Sequence, residues 1–142
     1  MTAQIIETNT KPFARVEIDP VTLDLIENAL RNARTEMDAT LFRTAMSPGI
    51  REQGDAFPMI ADREGRMIVG QFGSFLAGFL KAYDGAIEDG DVILLNDPYS
   101  CEGAISHTSD QLIIMPVFRQ GRLIAWGAMF GHMTDVGGKV PG

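Results

Sequence analysis

Apolar residues fall at Ile26, Leu30, Ala33, Met37, Leu41 and Ala45, in steps of four and three that place them on one face of a helix. Asp19-Pro20 supplies the start: an Asp side chain accepts orphan amide protons, and proline at the first helical position gives up no donor the helix needs. Ser47-Pro48-Gly49 supplies the stop, so the pattern predicts one long helix of roughly six turns or more. Residues 1–18 are polar and then extended in character, an N-terminal arm with Phe13, Val16 and Ile18 as its anchors.

Beyond the helix the period changes. Ala56–Ala61 and Arg66–Val69 read as short strands joined around Asp62-Arg63-Glu64-Gly65, a hairpin composition. Residues 74–88 predict a helix carrying Phe75, Phe79, Ala82 and Ala86 at helical spacing, with Gly78 and Gly85 weakening it. Phe72, Phe75, Phe79 and Tyr83 are expected in a core. The run Val92–Asn96 suits a buried strand, and residues 97–110 a loop. Gln111–Phe118 and Arg122–Phe130 then form the clearest hairpin, around Arg119-Gln120-Gly121, with Pro116 expected at an edge or bulge because it lacks a ladder donor. The fold class is α+β, a long N-terminal helix packed on antiparallel hairpins. The closing Gly137-Gly138-Lys139-Val140-Pro141-Gly142 reads as a turn that leads into something else, either partner chains or more of the same chain. Gly137-Gly138 is read as a tight turn rather than an anion-binding nest.

Composition narrows the function. Twelve Lys+Arg against 19 Asp+Glu give a net charge of -7, which repels phosphate backbones and disfavours nucleic-acid binding. One Cys excludes an intramolecular disulfide framework and any multi-Cys metal site. No apolar run reaches the roughly eighteen residues of a membrane helix, and residues 1–20 lack a signal-peptide core, so no membrane partner is expected and the reading is cytoplasmic. No Walker-type phosphate loop occurs, so ATP, if used, belongs to a partner. Cys101 has neither a second Cys nor an adjacent base to support a nucleophilic role.

The chain's two His residues each stand near an acidic residue, in His107-Thr108-Ser109-Asp110 and His132-Met133-Thr134-Asp135. A hairpin centred on Gln120 pairs residues whose numbers total about 240, setting Asp110 opposite Phe130 and His107–Thr108 opposite His132–Met133, with facing Cβ atoms roughly 5 Å apart; a bulge at Pro116 would shift this register by one and leave both His at the same open end. Two imidazoles and a carboxylate at one strand end make a divalent-metal site with open positions. A His beside a turn is also commonly a hydrogen-bonded surface residue, so both readings stand on the pattern alone.

In order along the chain, Leu95-Asn96-Asp97-Pro98-Tyr99, His107-x-x-Asp110 and Gly131-His132-x-x-Asp135-Val136-Gly137-Gly138 resemble the signature of the hydantoinase B/oxoprolinase family. Asp19-Pro20-Val21-Thr22-Leu23, Thr44-Ala45-Met46-Ser47-Pro48 and Ile50-Arg51-Glu52-x-x-Asp55 resemble its opening, so the likeness runs from about residue 18 to the C-terminus. Its members include N-methylhydantoinases, lactam-opening and oxoprolinase-like enzymes, and the metal-bearing subunits of acetone and acetophenone carboxylases. The resemblance implies that residues 19–142 are the N-terminal, metal-ligand-bearing segment of a larger hydantoinase-B-like fold, incomplete alone. It implies a hydantoinase-A-like partner subunit that spends ATP, with Mg, to phosphorylate an enol or lactam oxygen of a small ketone or cyclic amide. By motif, His107, Asp110 and His132 match the family's metal ligands, Asp55 matches a further acidic ligand, and Asn96 and Asp97 are candidates for shaping the loop or bonding the ligand. A mixed nitrogen and oxygen set suits Mn, Fe or Zn.

Two departures guide the choice of reaction. Hydantoinase-type members carry a His-x-x-x-His pair where this chain has Ser74 and Gly78, and the loop from Tyr99 to Ser106 stands where hydrolases have a shorter Gly-Gly-Thr. Ring hydrolysis needs proton transfer to a leaving nitrogen, whereas carboxylation leans on electrostatic stabilisation of an enolate. The expectation is therefore a ketone carboxylase subunit first, a hydantoin or lactam hydrolase subunit second, and a non-catalytic assembly subunit third.

Overall fold

A computed structural model describes residues 16–71, 75–103, 105–135 and 137–140. The expected arm up to residue 15 with its anchor Phe13, together with Phe72 and Ser74, lies outside the described residues, as does the side chain of Cys101. The chain is α+β, as its hydrophobic pattern predicts. Helix α1 runs from Pro20 to Thr44, and Asp19 caps it by accepting the Thr22 amide at 3.1 Å. Its apolar stripe is only partly covered: Leu30, Met37, Leu41 and Ala45 are half-buried, and Ile26 is exposed. The pairs Glu27–Arg31 and Arg34–Asp38 support the helix at i,i+4 spacing.

Ser47-Pro48-Gly49 does more than stop this helix. Ala45 and Ser47 are extended, and Pro48 then opens a second helix, α2 (Pro48–Gln53), as its donor-free first residue. Gly54 ends α2 in the left-handed region at φ 70°, where its amide closes on Ile50 O at 3.1 Å. Strands β1 (Ala56–Asp62) and β2 (Met67–Val69) form the predicted first hairpin.

The expected helix at 74–88 shrinks to α3 (Leu76–Ala82). Tyr83 leaves the helical region, stacks on Phe79 with ring centroids 5.0 Å apart, and its ring occupies the space that a Cβ at Gly85 would need. The run at 92–96 is corrected too. Only β3 (Ile93–Leu95) forms, at the sheet edge, with Leu94 64% exposed. Strands β4 (Asp110–Arg119) and β5 (Arg122–His132) complete an antiparallel sheet of order β2-β1-β5-β4-β3.

One sheet face carries Met59, Ala61, Leu112, Ile114, Trp126 and Ala128, and with Leu76 and Phe79 of α3 these residues are the core. Trp126 donates its indole N–H to Arg63 O at 3.1 Å, so a buried polar tip is satisfied. On the other face α2 packs on β5 at Gly131, where an added Cβ would lie 2.8 Å from Ile50 Cδ1; the missing side chain admits Ile50. Met115 and Val117 remain open, as does Leu94. Pro116 sits beyond the last β3 pairing, Ile93 with Ile114, where β4 has a neighbour on one side only. No helix among the described residues is long and apolar enough to cross a membrane.

The central hairpin departs from the expected register by two residues, placing Asp110 opposite His132 rather than Phe130. The connection is a tight two-residue turn, Gln120-Gly121, with φ of 51° and 72° at its two positions. A bulge between Val117 and Phe118 then skips Ile124, moving the pairing by one more.

The contrast between centre and edge predicts that Leu112→Ala destabilises the protein by about 2–5 kcal/mol, the range for emptying a packed site. Leu94→Ala, on the exposed edge, costs about 0.5 kcal/mol or less. Denaturant titrations of the two variants check the difference, and equal losses would refute this layering.

Candidate metal centre

Register decides which side chains meet. Directly opposed residues in an antiparallel pair project to the same face, so Asp110 and His132 stand side by side at the open end of β4 and β5. Asp110 Oδ1 lies 3.1 Å from His132 Nδ1. His107 reaches the same carboxylate from the turn ahead of β4, where the Asp110 amide bonds His107 O at 3.1 Å, and its Nδ1 lies 3.6 Å from Asp110 Oδ2. The two imidazoles meet edge to face with centroids 5.1 Å apart. Their side chains are 44% and 38% exposed against 11% for the carboxylate, so the anion sits low and the imidazoles stand at its rim.

The loop that presents His107 is pinned at several points. Ile105 is buried, Met133 N donates to Ser109 O at 2.9 Å, and Asn96 Nδ2 donates to Thr108 O at 3.3 Å. The backbone of His132 is tied to the segment after α1: its amide donates to Asp55 O at 3.0 Å, and its carbonyl accepts from Ser47 Oγ at 2.8 Å.

The donor atoms of His107, Asp110 and His132 all lie within 4.8 Å of one another. An ion held about 2.1 Å from each donor needs them within roughly 4 Å, so the three donors would draw together by up to about an ångström around it. Two imidazole nitrogens and one carboxylate oxygen are the donor chemistry that Mn, Fe and Zn take, and three donors leave positions for substrate or water. The residues present fit such an ion.

The other sequence candidates fall around this cluster in different ways. Asp55 is adjacent through its backbone, but its carboxylate is not part of the group of three. Asn96 directly follows β3 and lines a cleft of about 210 Å³ with Thr108, Ser109, Gln111 and Thr134. Asp97 accepts the Tyr99 amide at 3.0 Å and the Ser100 hydroxyl, closing the 3-10 turn Tyr99–Cys101. Those two bonds, the Ser100 hydroxyl first, hold its carboxyl below the usual 3.8. That local role accounts for its placement. Ser47, read from the sequence only as part of a helix stop, touches the cluster's backbone; nothing in the sequence pattern signals a contact across 85 positions.

Known proteins resemble this chain in both sequence and fold. Caprolactamase subunit beta of Pseudomonas jessenii is 36% identical over 136 residues, covering 87% of this chain and 22% of that protein. The crystal structure of the ATP-dependent caprolactamase from the same organism superposes with a TM-score of 0.73 at 31% identity, over 89% of this chain and 23% of its own. A nucleotide-free acetone carboxylase structure shares the fold, with a TM-score of 0.71 at 20% identity over 87% of this chain and 17% of its own. The chain spans between about a tenth and a quarter of the length of the curated relatives it matches, 22% for caprolactamase subunit beta. The family pattern described as hydantoinase B/oxoprolinase matches residues 19–142, and the chain belongs to that family.

Proposed function

We propose that residues 19–142 supply the divalent-metal site of an ATP-dependent enzyme that opens a lactam or related cyclic amide, preceded by residues 1–18 as an arm. The observation that carries this reading is the His107–Asp110–His132 cluster at the open end of the central hairpin, in a chain 36% identical to a caprolactamase subunit. Asp110, buried between the two imidazoles, orients both rings, and Asp55, just ahead of β1, would be the further acidic ligand. Held by these donors, Mn, Fe or Zn would polarise a substrate oxygen or activate water. Asn96 shapes the rim by holding the Thr108 carbonyl, and Asp97 does so by closing the turn at Tyr99. ATP and Mg belong to a hydantoinase-A-like partner subunit, and the complex works in the cytoplasm.

Ketone carboxylation is the second reading, and one observation favours it. Both imidazoles of the chain lie in the cluster, which leaves no His here to protonate a departing ring nitrogen. An enolate carbon attacking CO₂ relies instead on charge stabilisation of its oxygen. Lactam opening ranks first because the likeness to caprolactamase extends over most of this chain in both sequence and structure.

Two measurements test the proposal. Elemental analysis of the assembled complex should find stoichiometric divalent metal that His132→Ala abolishes and Asp55→Ala lowers by less; unchanged metal in His132→Ala removes the assignment, and a wild-type complex without metal favours an assembly role. Supplied with ATP, the complex should release ADP in response to caprolactam or a hydantoin without bicarbonate. ADP release that requires both a methyl ketone and bicarbonate would put carboxylation first.

A further inference from the structure

Among the described residues two polar or charged residues are buried, Asp110 at 8% and Ser47 at 3% whole-residue exposure. The first is the carboxylate of the cluster. The second lies 85 positions from His132 in sequence, yet its hydroxyl donates to the His132 carbonyl at 2.8 Å. Ser47 stands at the N-cap of α2, where a serine hydroxyl ordinarily accepts an amide proton from the first helical turn. Here it makes no such bond. A buried hydroxyl that forgoes the nearby helix for a distant carbonyl is held there by the tertiary structure.

The neighbouring groups point the same way. The ladder between β1 and β5 ends with Ala56 opposite Gly131. His132 lies one residue beyond, where its amide donates to Asp55 O at 3.0 Å and its carbonyl is met by Ser47. Gly49 offers no side chain, and a Cβ there would lie 3.8 Å from His132 Cδ2, so the first turn of α2 also abuts the imidazole. The segment from Ser47 to Asp55 therefore grips both backbone polar groups of His132 at the point where pairing with β1 has stopped.

We propose that Ser47 is a positioning residue for the metal centre: by fixing the His132 carbonyl it sets the direction from which the imidazole meets the ion. The inference rests on the metal reading above. Residues that orient a ligand from outside the coordination sphere tune affinity and ligand field, and their loss typically weakens metal binding roughly 10–100-fold.

The test uses the full chain, purified with the subunits it assembles with, stripped of metal and titrated with Co²⁺ in competition with a chelator while the visible d–d bands are recorded. Ser47→Ala should weaken Co²⁺ binding by roughly 10–100-fold and shift those bands. Ser47→Cys, which keeps the shape but weakens the donor, should do the same to a lesser extent and serves if the alanine variant does not fold. Ile114→Val, a core change remote from the cluster, should lower thermal stability and leave affinity and bands unaltered. Wild-type affinity and bands in both Ser47 variants overturn the positioning role and leave the metal reading standing. Bands that shift equally in Ile114→Val also overturn it, since general loosening would then suffice. A wild-type chain that takes up no Co²⁺ ends both readings together.

Discussion

The pairing of Asp110 with His132 is the constraint on which the candidate site depends. It brings an anion and an imidazole to the same face of the sheet, at the one end of the central hairpin where a loop residue, His107, can join them. Everything around that pairing either sets it or protects it. The core beneath, from Leu112 and Ile114 across to Trp126 and Ala128, fixes which face of each strand is buried, and the alternation carries the same choice outward to Asp110 and His132. The cluster is an extension of the hydrophobic layer, with the last apolar positions exchanged for ligating ones.

The second requirement is rigidity at a strand end, where pairing normally frays. The link between α1 and β1 meets it by a route unrelated to the hydrophobic core. Pro48 forces a break between two helices, Gly54 turns the chain back, and the short segment they delimit lies against the end of β5. Ile50 fills the gap left at Gly131 and anchors that segment to the sheet. The long helix α1 is then a scaffold that brings this link into place, which is consistent with its carrying no fully buried residue of its own.

Much of this was legible in the sequence. The helix start at Asp19-Pro20, the first hairpin, the second hairpin and the convergence of two His and one Asp followed from periodicity and turn chemistry. The register did not: Pro116 signalled a bulge that would shift it by one, but the bulge lies just beyond, between Val117 and Phe118, and Gln120 gives no hint of the positive φ that adds the second step. The strand at Ile93–Leu95 misled for a different reason: an apolar β-branched run has the same composition at an open edge as in a buried centre, and position in the sheet is a property of the whole. Helix α3 ended early because the Tyr83 ring packs into the space beside Gly85, a tertiary contact that helical spacing cannot foretell. Asp55, suggested by motif, lies beside the cluster through its backbone, and Ser47 became visible only once the fold had brought it to His132.

The bulge at Val117 and Phe118 lies some eight residues of strand from the cluster, roughly 26 Å at about 3.3 Å per residue. Were Ile124 drawn into a straight ladder opposite Val117, Asp110 would face Gly131, and His132 would project from the opposite side of the sheet. The distal turn and the bulge thus act as a frame of reference for a site they never touch. Substitutions there are tolerable so long as the bulge persists, whereas a single insertion or deletion in one strand between the bulge and the cluster separates the carboxylate from the imidazole. Register, rather than side-chain identity, is what selection must conserve in that part of the hairpin.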